Sequence, residues 1–183
     1  MLSFLTVPWP TTTAGPTIVC SRPVYSCRSV ISWRRGPASF QACATLNHIL
    51  IIDWFYVDAM EGGTLGPAAW ADQEPCETAI MLRNAQHEAD RRLIAIVERL
   101  GVADLNRVVD IHRGDRIQRE RIDRLLLHLF QHQIHHRGQA HAMLSATEVR
   151  PPQLDEFFAE GEAPLRAVEF AELGWTEDTV WAS

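Results

Sequence analysis

The chain has 183 residues, 46% of them apolar, and a formal net charge of -6, which is enough to bury a real core and fits one domain better than two. Its acidic balance and the lack of any basic stripe argue against a nucleic-acid partner. No apolar run reaches the roughly 18 residues that cross a bilayer, and the longest, "LNHILIIDWFYV", is interrupted by His48 and Asp53, so no membrane partner is expected.

Residues 1–38 are rich in Pro, Thr, Ser and Gly, show neither helical nor strand period, and end in the basic turn "WRRGP"; they read as irregular. The opening "MLSFLTVPWPTTTAGP" lacks a basic leader region and meets Pro8 and Pro10 too early for an export signal. Without export, Cys20, Cys27, Cys43 and Cys76, which form no C-x-x-C pair, read as free thiols of a cytoplasmic protein.

From Phe40 to Met60 the pattern becomes helical, with Leu46, Ile49, Leu50, Trp54 and Val57 on one stripe, His48 inside it, and Gly62-Gly63 as the stop. A loop through Pro67 and Pro75 leads to a second long helix, "ETAIMLRNAQHEADRRLIAIVERLG", with apolar positions at Ile80, Leu93, Ile96, Val97 and Leu100 and a stop at Gly101. The β-branched residues around Arg113-Gly114-Asp115 predict a small hairpin that must lean on helices to be stable. Asp123 opens a further helix that runs to Ala146, ahead of Pro151-Pro152. The remainder reads as short helical or irregular pieces with exposed acids and buried aromatics.

That last long helix carries "LFQHQIHHRGQAHAML", with four of the eight histidines. Positions four apart share a helix face, so His128, His132 and His136 form a column and His135 stands to its side. Two imidazoles at i and i+4 can hold one metal ion, but a catalytic centre of the zinc type takes three protein ligands and keeps a position open. The best third donor is His48, because an imidazole in an apolar helix needs a reason to be there. Taken alone, H-x-x-x-H is short and easily met by chance. His87, His112 and His141 read as solvated positions, Arg137 as a group that bonds within the bundle, and Gly138 as a site of close helix packing. No histidine has a carboxylate three residues before it, which disfavours a di-iron bundle.

"LNHILIIDWFYVDAMEGG" together with "LLLHLFQHQIHHRGQAHAML" resembles the DinB family, which is related to bacterial bacillithiol and mycothiol S-transferases. The likeness extends from about Ser39 to the C-terminus, giving a helical domain over 39–183. It implies an all-α, up-down-down-up four-helix bundle with a small β-hairpin before the last bundle helix. Family members begin with an amphipathic helix where this chain has its aperiodic segment, so the first helix is expected to be degenerate. The resemblance also implies a metal held by His48, His132 and His136, and it selects His136 over His135. Zinc or nickel is the expected ion, and no separate catalytic residue is assigned. The implied activity is that of a metal-dependent S-transferase or hydrolase, in which a metal-activated thiol or water attacks a small electrophile. The alternative is a non-catalytic, stress-associated metal-binding or dimerisation module, with a homodimer as the expected partner state.

Overall fold

The computed structural model describes residues 37–147, 151 and 159–178; the irregular segment expected over the first 38 residues lies almost wholly outside them. Among the described residues the protein is mostly helical. The long helices are α1 (Pro37–Met60), α2 (Ala79–Glu98) and α3 (Ile122–Ser145), and a shorter α4 (Ala163–Leu173) follows. Strands β1 (Val108–His112) and β2 (Ile117–Arg121) form an antiparallel hairpin immediately before α3. None of the described helices is long and apolar enough to cross a membrane.

Helix α1 is central because it is apolar on most of its circumference, and such a helix must be surrounded. Ile49, Leu50, Ile51, Phe55 and Val57 are all within 2% of full burial. Burying side chains of this size contributes about 1.5–3 kcal/mol each, more than enough to override the modest helix propensity of the β-branched residues. The helix begins three residues before Phe40, the start expected from the pattern. It ends where Gly62 takes φ 84. Gly62 N donates to Ala59 O at 3.1 Å and Gly63 N to Asp58 O at 2.8 Å, the paired bonds of a Schellman stop. The Asp58 carboxylate then accepts from Leu65 N at 2.8 Å, and a Cβ on Gly63 would collide with that carboxylate.

The chain returns along α1 before starting the next helix. Gly66 abuts the carbonyl of His112, the Trp70 ring lies 4.7 Å from that of Phe55, and Cys76 is clasped by Asn47. Cys76 N donates to Asn47 Oδ1 at 3.0 Å, and Asn47 Nδ2 donates to Cys76 O at 3.2 Å. Thr78 caps α2, its Oγ1 accepting from Met81 N at 3.2 Å. Leu82, Ala89, Leu93 and Ile96 then face the core at helical spacing, whereas Ile80, expected on that stripe, is exposed.

Contacts set the helix directions. Asn47, Asp53 and Glu61 of α1 meet Cys76, Gln86 and Arg92, in rising order, so α1 and α2 run the same way. Thr45, Asp53 and Tyr56 meet Met143, Gln133 and His128, in falling order, so α3 runs back. The hairpin is tied in by Ile111, which is fully buried, while Asp110 and Arg119 pair across its outer face at 3.1 Å.

The core has two apolar clusters. One gathers Phe55, Leu93, Ile111, Ile122 and Leu129 at the hairpin end, and the other gathers Leu46, Leu50, Leu82, Ala140 and Leu144 at the far end. Between the helices lies a buried polar group: Gln86 Nε2 donates to Asp53 Oδ2 at 2.7 Å and to Asp90 Oδ1 at 3.0 Å, and Gln133 Nε2 donates to Asp53 Oδ1 at 2.9 Å. One residue from each helix is thus joined to Asp53 or Asp90, which fixes the axial register of all three.

Candidate metal centre

Helix α1 supplies His48, and α3 supplies His132 and His136 one turn apart. Because the helices are antiparallel and the Asp53–Gln133 bond sets their register, the three rings meet on one side of the α1–α3 seam. Their ring centroids are 5.0 Å (His48–His132), 4.6 Å (His48–His136) and 4.4 Å (His132–His136) apart. One ligand atom from each lies within 4.8 Å of the others, and this is the group of three or more donors found among the described residues. His135 touches only the edge of the cluster, 4.9 Å from His136, and is exposed. His128 also lies outside it, 6.2 Å from His132.

The donor chemistry fits a divalent ion. His136 Nδ1 stands 2.7 Å from Gln139 Oε1, an acceptor, so the proton belongs on Nδ1 and the Nε2 lone pair is left free. His48 Nε2 and His132 Nε2 are 3.1 Å apart, with His132 Nδ1 buried and without a partner among the described residues. Without a metal, one ring must donate its N–H to the other. With both Nε2 atoms unprotonated, the same pair offers two lone pairs to a cation. Two donors on one tetrahedral ion at 2.0–2.1 Å stand about 3.3 Å apart, close to the separation found.

Electrostatics favour the unprotonated rings that a metal needs. Burial, and then the neighbouring His136, His48, His128 and His135, pushes His132 down to about 4. Burial and His136 lower His48 as well. His132 and His48 therefore resist a proton, chiefly because they are buried and then because other imidazoles stand beside them. All three ligand candidates are half-buried, so the centre is reachable from solvent.

Elsewhere the structure corrects the sequence reading. His87, His112 and His141 are half-buried instead of solvated. Gly138 is exposed, and a Cβ there would meet open space, so close packing does not explain it. Arg137 does bond within the bundle, donating to Gln133 Oε1 at 3.4 Å. Sequence reasoning missed the Asp53–Gln86–Asp90–Gln133 group. Its one visible signal was an aspartate inside the apolar run of α1. Burial pushes Asp53 up to about 6, against the bonds from Gln133 and Gln86 and the charge of Arg137; Asp90 is pushed well up by burial and by Asp53.

Residues 36–167 match the model of the DinB family. No curated protein and no solved structure matches the chain.

Proposed function

The chain belongs to the DinB family, and from that membership and the three converging imidazoles we propose a divalent-metal-dependent enzyme that acts on a small thiol or electrophile, with zinc or nickel held by His48, His132 and His136. The observation that carries this reading is the convergence of three imidazoles from two helices on a half-buried spot, where burial makes His48 and His132 resist protonation. Three protein donors leave coordination open for a substrate, and the access from solvent favours an enzyme over a sealed structural site. The down-down-up course of α1, α2 and α3 supports the last three members of an up-down-down-up four-helix bundle.

When bound, the ion supplies a lowered pKa to a thiol or water, making a nucleophile near neutral pH. The protein does the positioning. Gln139 holds the His136 ring with its Nε2 toward the centre, and Asp53 and Gln133 lock α1 against α3 so that His48 stays opposite His132. The test is metal analysis of the purified full chain, followed by a thiol-dependent activity screen on the same sample. About one divalent ion per chain, with activity lost on chelation and restored on reloading, is expected. Protein that refuses added zinc and nickel overturns the proposal.

A further inference from the structure

About two helical turns along α1 from the three-histidine centre, toward the hairpin, stands a half-buried guanidinium with no acidic partner among the described residues. Of the four arginines from Arg113 to Arg121, Arg116 pairs with Asp115, Arg119 with Asp110 and Arg121 with Asp123. Arg113 pairs with no carboxylate among the described residues. Its surroundings orient the guanidinium without neutralising it. Nε donates to Gln118 Oε1 at 3.0 Å, the Phe55 ring lies 4.9 Å from Cζ, and Nη2 is 3.5 Å from the Tyr56 hydroxyl. A charge removed even partly from water needs compensation, and a carboxamide and a neutral hydroxyl do not provide it.

The Tyr56 ring is buried, and its hydroxyl oxygen has Arg113 as its partner, so the hydroxyl hydrogen points at no acceptor among the described residues. Its ring centroid lies 5.2 Å from that of His128, and the His128 centroid lies 6.2 Å from that of His132. Arg113, Tyr56 and His128 therefore form a continuous strip that ends on the metal centre. All offer donors. Tyr56 is two helical turns from His48, which corresponds to about 12 Å along α1.

We propose that Arg113, Tyr56 and His128 form an anion subsite, which takes the carboxylate of an elongated small acid whose reacting atom lies at the three-histidine centre. The guanidinium fork matches a carboxylate in two-point geometry, and the Tyr56 hydroxyl adds a further donor. This names the substrate class for the proposed activity and rests on that reading for the position of the reacting atom.

The experiment uses the zinc-loaded full chain, titrated calorimetrically with ω-mercapto-octanoate and with the alcohol of the same length. The acid is expected to bind at least tenfold tighter, a difference of at least about 1.4 kcal/mol. In Arg113→Gln the ratio of acid to alcohol affinity falls close to one, in Arg113→Lys part of it returns, and in Tyr56→Phe it is reduced; thermal unfolding confirms that each variant is folded. Equal binding of acid and alcohol by the parent, or an unchanged ratio in Arg113→Gln, overturns the subsite. Octanoate and octanol on the metal-free chain separate the two readings. A preference for the acid that Arg113→Gln abolishes supports the subsite even if zinc binding fails, and its absence there and in the loaded protein overturns it.

Discussion

Replacing Asp53 with Asn turns a titrating buried carboxyl into a neutral one of the same shape. In the fold Asp53 is raised from 3.8 to about 6, and burial is the largest cause. A carboxyl that holds its proton more tightly when folded stabilises the protein most below 3.8, and that stability is lost as pH rises through about 6. At about 1.4 kcal/mol per pH unit, the rise is worth about 3 kcal/mol. Asn brings its own cost, because its amide faces an N–H of Gln86 or Gln133, and losing one such bond costs about 1–3 kcal/mol. That cost is present at every pH, so the difference between two pH values isolates the titration. Relief of Asp90, which Asp53 pushes further up, acts in the same direction. Urea unfolding of metal-free parent and Asp53→Asn, at about pH 4 and about pH 8, should show the variant gaining about 3 kcal/mol on the parent between the two. The histidine titrations are common to both proteins and cancel. Parallel stability curves would show that Asp53 titrates as an exposed carboxyl does, and the reasoning about the buried group would fail.

Changing His48, His132 or His136 to Ala should each weaken zinc or nickel binding at least tenfold, about 1.4 kcal/mol, by calorimetry, whereas His135→Ala should leave it nearly unchanged. A damaging His135→Ala would place the ligand pair one residue away. Because His132 and His48 resist protons, a pH titration of zinc affinity should show these two ligands still available below the usual imidazole range, with binding lost as acid finally protonates the cluster. Gly138→Ala should raise stability by about 1 kcal/mol in thermal or urea unfolding without changing metal affinity, since the site is helical, exposed and open. Destabilisation would reveal a contact at Gly138.

Periodicity and stop signals made the three long helices legible, because their apolar stripes and Gly62 and Gly101 are local features. The hairpin was legible for the same reason: Gly114 takes φ 92 between two β-branched runs. The metal triad needed more. Spacing placed His132 and His136 on one face and the apolar setting of His48 made it the best third donor, but only the family likeness chose His136 over His135, since a contact between helices leaves no mark on local sequence. The Asp53–Asp90 group was illegible for a related reason. Gln86 and Gln133 look like ordinary solvent-facing amides until the helices pack and bury them at 4% and 1% exposure. Arg113 was hidden in a basic hairpin, where only the pairing of its neighbours reveals that it lacks an acid.

His48 and His132 are 84 positions apart in the chain. An ion held between them closes a loop of that size, and in chain-entropy terms a cross-link over such a loop restricts the unfolded chain by roughly 4.5 kcal/mol. The pair His132 and His136, one turn apart, closes almost nothing. Thus the ligand from α1 converts a local helix-surface site into a tether between distant parts of the chain. Loading the metal should raise the unfolding temperature of the parent far more than that of His48→Ala, even at concentrations that saturate both.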